Sequence, residues 1–72
     1  MLTPEYFGLW VRSERIRQRK TQDVIAIKSE MTQSYVHRLE SGSFYKAGPS
    51  LDTCNRVLDA LGYELKIVPK KR

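Results

Sequence analysis

Residues 21–42 run TQDVIAIKSEMTQSYVHRLESG, with Thr21 at one end, Thr32 in the middle and Gly42 at the other. A threonine hydroxyl can accept one of the unpaired N–H groups in a helix's first turn. Thr21 therefore predicts a helix from Gln22 to about Lys28, and Thr32 a second from Gln33 to about Glu40. The connection between them is too short for anything but a sharp crossing. Ala26 suits that crossing, because helices packed at such an angle approach closely and a larger side chain would push them apart.

At about 100° per residue the second helix divides into two arcs. Val36, Leu39 and Glu40 share one side, where Val36 and Leu39 can meet Ile25 and Met31 in a small core. Gln33, Ser34, His37 and Arg38 fall on the opposite arc, and with Tyr35 they are the candidate base readers. An amide, a hydroxyl, an imidazole and a guanidinium are groups that pair with base edges or phosphates in a major groove. Gln33 leads the set, since an amide at the first helical position can pair with adenine N6 and N7. Gln22 lies near enough to brace it or to bond a phosphate. The candidate phosphate ligands are Gln22, Thr32, Arg19, Lys20 and Lys46, all near helix ends that border the reading helix. The competing reading of the polar arc is a solvated surface.

Charge favours a polyanionic partner. Lys plus Arg number 13 against 8 Asp plus Glu, a net charge of +5, and the isoelectric point is near 9.7. The excess is concentrated: Arg12, Arg15, Arg17, Arg19, Lys20 and Lys28 face only Glu14 and Asp23 between residues 12 and 28. Lys70, Lys71 and Arg72 form a second cluster, expected to be a solvated end. With 72 residues there is room for one small domain and little core, so a partner subunit would add stability.

The set Gly8, Val11-Arg12, Arg15, Thr21-Gln22, Ile25-Ala26, Thr32-Gln33-Ser34, Val36, Leu39-Glu40 and Gly42 resembles the lambda-repressor-like, or Xre-type, helix-turn-helix family over most of the chain. The resemblance implies an all-α DNA-binding fold. It also implies that Arg15 and Glu40 form a largely buried ion pair. Glu40 would otherwise be a costly charge at the edge of the buried arc. The chain departs from the pattern at two places. Arg19-Lys20 replace the usual Gly-Leu, and Glu30 replaces the usual Gly of the turn. Glu30 is thus expected either in a left-handed conformation at about 1 kcal/mol or in a turn built differently.

Thr3-Pro4-Glu5 is a cap, a proline at the first helical position and a first-turn acid, so helix 1 should run from Pro4 to about Gln18. Tyr6, Phe7, Leu9, Trp10, Val11 and Ile16 supply its apolar side. Residues 41–49 read as a loop in which Phe44 and Tyr45 pin the chain to the body. Ser50 caps a fourth helix, Leu51 to Leu61, with Leu51, Cys54, Leu58 and Leu61 as its core face and Gly62 as its stop. On helix 2, Val24 and Ile27 stand on the outward side. They are an apolar pair for a protein partner, or scattered exposed aliphatics of the common kind, or residues covered by helix 1.

After Gly62 the period changes. Tyr63, Leu65 and Ile67 alternate with Glu64, Lys66 and Val68 before Pro69, the pattern of a strand over 63–68. A lone strand leaves its N–H and C=O groups unpaired. The expected remedy is the same strand from a second copy, antiparallel across a two-fold axis, with Tyr63, Leu65 and Ile67 as dimerisation residues. The ending from Leu61 to Pro69 is similar to that of HipB-type antitoxins, a branch of the same family. That likeness implies binding to the protein's own operator and to a kinase-fold toxin.

The resulting expectation is a single domain over 1–72: a helix-turn-helix over 21–42, a dimerisation strand over 63–68 and a basic tail over 69–72. It would be a homodimeric repressor, with an antitoxin role preferred, acting on double-stranded DNA at an inverted-repeat operator in the bacterial cytoplasm or nucleoid. The alternatives are a free-standing Xre-type regulator of a phage or mobile element, or an interaction module that has lost DNA binding. No enzyme is expected, because no nucleophile has a base at usable spacing. One cysteine and one histidine argue against a metal site, and no pattern calls for a cofactor. No stretch is long and apolar enough for a membrane span or an export signal.

Overall fold

The computed structural model describes residues 3–43 and 48–71. Among them are the helices α1 (Pro4–Arg17), α2 (Gln22–Ser29), α3 (Gln33–Ser41) and α4 (Leu51–Ala60), each within about a residue of its expected end. Each begins on a hydroxyl cap. Thr3, Thr21, Thr32 and Ser50 accept from the N–H groups of Tyr6, Val24, Tyr35 and Thr53 respectively. A cap of this kind contributes about 1 kcal/mol.

The four helices also close in a common way. A residue in the left-handed region follows α1 (Arg19, φ 57°), α2 (Glu30, φ 58°), α3 (Gly42, φ 70°) and α4 (Gly62, φ 85°). The next N–H returns to the last turn in each case: Lys20 to Arg15, Met31 to Ala26, Ser43 to Arg38 and Tyr63 to Leu58. Gly42 and Gly62 adopt this conformation freely. Arg19 and Glu30 carry side chains there at roughly 1–2 kcal/mol each. Glu30 thus takes the left-handed alternative, and Arg19 does the same at the other departure from the family pattern.

The core unites all four helices. Phe7 and Val11 from α1, Ile25 and Ala26 from α2, Val36 and Leu39 from α3, and Val57, Leu58, Ala60 and Leu61 around α4 are buried together. Fully burying each aliphatic side chain stabilises by roughly 1.5–3 kcal/mol. Gly8 lets α1 approach α3 closely: a Cβ there would lie 2.2 Å from the Leu39 carbonyl oxygen. Trp10, Met31, Tyr35 and Cys54 pack at the margin.

Several sequence expectations need correction. Tyr6, Leu9 and Ile16 are exposed, because the buried face of α1 is narrower than its apolar content and is completed by Glu14. Leu51 is exposed, and Val57, not included in the expected α4 face, is fully buried. Val24 and Ile27 are not covered by helix 1: they are 37% and 73% exposed.

The strand over 63–68 is absent, and no strand occurs among the described residues. A strand needs a hydrogen-bonding neighbour, and the described residues of a single chain supply none. Tyr63 is instead taken into the closing turn of α4, while Leu65, Ile67 and Val68 are exposed. Phe44, Tyr45 and Lys46 lie outside the described residues, as does Arg72 of the basic tail.

Candidate nucleic-acid interface

The site is built from the buried side of α3 outward. Glu40 turns inward from the last turn of α3, and Arg15 reaches it from α1. Arg15 Nε donates to Glu40 Oε2 at 2.6 Å and Nη2 to Oε1 at 3.0 Å. The two side chains are only 13% and 2% exposed. Arg15 Nη1 also donates to the Lys20 carbonyl at 2.8 Å, which ties the α1–α2 connection to the pair. The bonds from Glu40 raise the Arg15 pKa, so the guanidinium stays charged. The ion pair implied by the family resemblance is therefore present, in a two-bonded geometry that gives both strength and orientation.

Gln22, at the first position of α2, joins this pair to the surface. Its Nε2 donates to Glu40 Oε1 at 3.1 Å, and its Oε1 accepts from Gln33 Nε2 at 2.5 Å. Gln33 stands exposed at the start of α3, with Ser34, His37 and Arg38 exposed along the same helix. Arg19, Lys20, Thr21 and Gln22 line one surface recess with Gln33, so most of the candidate phosphate ligands gather beside the leading base reader. His37 and Ser41 border a second recess with Arg12 and Leu9. Arg12 was not among the expected site residues. Its exposure and its place beside the reading helix are visible only once α1 is packed on α3.

Other expected site residues sit differently. Tyr35 lies about 160° round the helix from Gln33. It is half-buried against the core, which places it away from the exposed arc. Lys20 Nζ donates to the Ala60 carbonyl at 3.1 Å at the C-terminal end of α4, which takes one of its three N–H donors. The Thr32 hydroxyl accepts from the Tyr35 N–H as a cap and keeps only its O–H to donate. Tyr63 serves this chain's own packing: its ring meets Trp10 edge-on at 5.0 Å, and its hydroxyl donates to Glu14 at 2.9 Å.

Glu14 is the polar hub that sequence reasoning missed. Its carboxylate accepts from Arg17, Gln18 and Tyr63, and Gln18 also donates to the Leu61 carbonyl at 2.8 Å. These bonds clasp α1 to the end of α4. Its signal was present as Arg17 and Gln18 at i+3 and i+4 from an acid. Bonds from Arg17 first, then from Gln18, lower the Glu14 pKa from 4.5 to about 2, against the opposing effect of burial. A depressed carboxylate stabilises the fold above its unfolded value and loses that contribution as pH falls toward its folded value. Between pH 4.5 and about 2 the wild type should therefore lose thermal stability faster than Glu14→Gln. Melting curves of both proteins across that range check this, and parallel curves would contradict it.

Among the described residues no group of acidic, His or Cys side chains could hold a metal ion. No helix among them is long and apolar enough to cross a membrane.

The family described as helix-turn-helix matches residues 11–68 of the chain. No curated protein sequence matches it. Among solved structures, the chain is similar to the restriction-modification controller protein C.AhdI from Aeromonas hydrophila. The TM-score is 0.76 at 28% identity, covering 85% of this chain and 88% of that one. It is also similar to the clp gene regulator ClgR from C. glutamicum, with a TM-score of 0.76 at 28% identity, covering 89% of this chain and 79% of that one.

Proposed function

Since the chain belongs to the helix-turn-helix family, we propose that it is a sequence-specific DNA-binding transcriptional regulator that reads its operator with α3. The observation that carries this reading is the braced glutamine. Gln33 is exposed at the start of α3, yet held by Gln22, which is itself held by the buried ion pair. A solvated polar surface gives no reason for that support, whereas base readout requires side chains fixed before binding. Gln33, Ser34, His37 and Arg38 are the base readers. Arg19, Thr32 and Lys46 hold flanking phosphates, with Gln22 contributing its remaining N–H. Lys20 can add its two remaining N–H donors to these contacts, while Tyr35 packs at the margin of the core.

The working unit is a homodimer on an inverted repeat, acting as a repressor. Pairing of residues 63–68 with a second copy would cover Leu65, Ile67 and Val68, which the single chain leaves exposed. Two linked half-site contacts would bind far more tightly than one. A free-standing regulator is the setting favoured by the neighbours, one a controller protein and the other a gene regulator. The HipB-like antitoxin reading, with a kinase-fold toxin as partner, rests on the ending from Leu61 to Pro69. The exposed Val24 and Ile27 are the surface it would use.

Gln33→Ala tests the readout. It should weaken binding to the specific duplex by about 1–3 kcal/mol and binding to random duplex far less, as read by parallel titrations. An equal loss on both would reduce Gln33 to a positioning residue.

A further inference from the structure

The recess between α1 and α3 has a charge balance that a single proton can tip. Glu5, Arg12 and Arg15 reach it from α1, His37 and Glu40 from α3, and α2 contributes only the uncharged Gln22. Two arginines thus face two carboxylates. Arg15 and Glu40 neutralise each other in the buried pair. Arg12 and Glu5 stand at the exposed rim beside His37. Among the described residues, no hydrogen bond or ion pair engages the side chain of Arg12, Glu5 or His37. Arg38, the next residue of α3, lies about 100° further round the helix and outside the recess.

With a neutral imidazole the recess therefore has no net charge and little attraction for an anion. Protonation makes it positive and gives the imidazole a second N–H donor. Histidine is the side chain whose charge changes between about pH 5 and 8, and His37 is the only histidine of the chain. Burial pushes the Cys54 thiol up, away from that window. We infer that the recess is a proton-gated phosphate site, in which protonated His37 and Arg12 together hold a backbone phosphate of bound DNA between α1 and α3. This rests on the DNA-reading function proposed above and adds a regulation to it: affinity for DNA rises as pH falls.

The placement suits a nucleic-acid backbone. The recess shares Arg15 and Gln22 with the one that holds Arg19 and Gln33, so the two adjoin, and a strand that passes Arg19 can continue over Arg12. His37 stands about one turn beyond Gln33 on the exposed arc of α3. One N–H of its protonated ring can face the groove while the other faces the recess. A phosphate beside the ring favours the charged form, so binding takes up a proton.

The test is a titration of the full chain with the duplex that it enriches from a randomised library and with a shuffled duplex, each at about pH 6 and pH 8 and at several salt concentrations. From the higher pH to the lower, wild-type affinity should rise about 3- to 10-fold on both duplexes. The salt slope should steepen by about one for each recess engaged. His37→Gln should lose both changes. Glu5→Gln removes the carboxylate that offsets Arg12 and leaves the recess positive with a neutral imidazole. It should bind both duplexes more tightly than the wild type at the higher pH. Circular dichroism checks that both variants are folded at both pH values. Calorimetry in buffers of different ionisation heat gives a further readout: the wild type should take up protons on binding DNA, and His37→Gln should not.

An affinity independent of pH, or a rise that persists in His37→Gln, overturns the site while leaving the DNA-reading function standing. So does a rise confined to the enriched duplex, which would put the proton on a base contact. A wild-type protein that enriches no sequence overturns the site together with the function beneath it.

Discussion

Glu40→Ala should lose about 3–5 kcal/mol of folding stability. The substitution leaves the Arg15 guanidinium, with a side chain only 13% exposed, facing a site from which its counter-charge has gone. The Lys20 carbonyl still accepts one of its N–H groups, but a neutral carbonyl does not replace a carboxylate. The effect combines lost attraction with the desolvation of an unpaired charge, which is why it exceeds the value of the pair itself. Against the 5–15 kcal/mol typical of a whole domain it is enough to leave a large unfolded population. Urea titrations followed by circular dichroism measure it. A comparison separates the two contributions: Arg15→Met with Glu40→Leu removes both charges, and should be less destabilised than Glu40→Ala alone. A loss below about 1 kcal/mol in Glu40→Ala would mean that water reaches the pair and that its burial has no energetic consequence.

That pair was implied by the family resemblance, whereas the helix ends could be read from the residues themselves. The caps at Thr3, Thr21, Thr32 and Ser50, and the stops at Gly42 and Gly62, are local signals, and helix ends depend on local hydrogen bonding. Gln22 was expected, from the helix-turn-helix motif, either to brace Gln33 or to bond a phosphate, and the bond between the two is present. The fate of Tyr63 was not. Alternation after Gly62 describes a chain ready to pair, but pairing is a property of two segments, and the described residues of the single chain bring no second one to it. Tyr63 finds Trp10 and Glu14 instead, partners far away in sequence. Lys20 illustrates the same limit. Its charge and position suited a phosphate, while the Ala60 carbonyl that takes one of its three N–H donors becomes a neighbour only through tertiary packing. Tyr35 stood among the expected base readers, and it packs at the core margin. The sequence neighbours of a site are thus easier to find than the groups that compete for them.

The largest effect of all should appear in the unmodified protein. Its net charge of +5 and the exposed Arg19 beside Gln33 give attraction to any duplex, which salt weakens by counterion release. Braced side chains on α3 should add a second contribution that depends on base sequence and survives at physiological salt. Paired half-sites would multiply it. The direct measurement is a titration of the full chain against the duplex it enriches from a randomised library and against a shuffled duplex of equal length and composition, each across a range of salt. A preference of about a thousand-fold or more for the enriched duplex is expected, with affinity for both falling steeply as salt rises. Equal affinity for the two duplexes at every salt concentration would contradict sequence-specific recognition by α3.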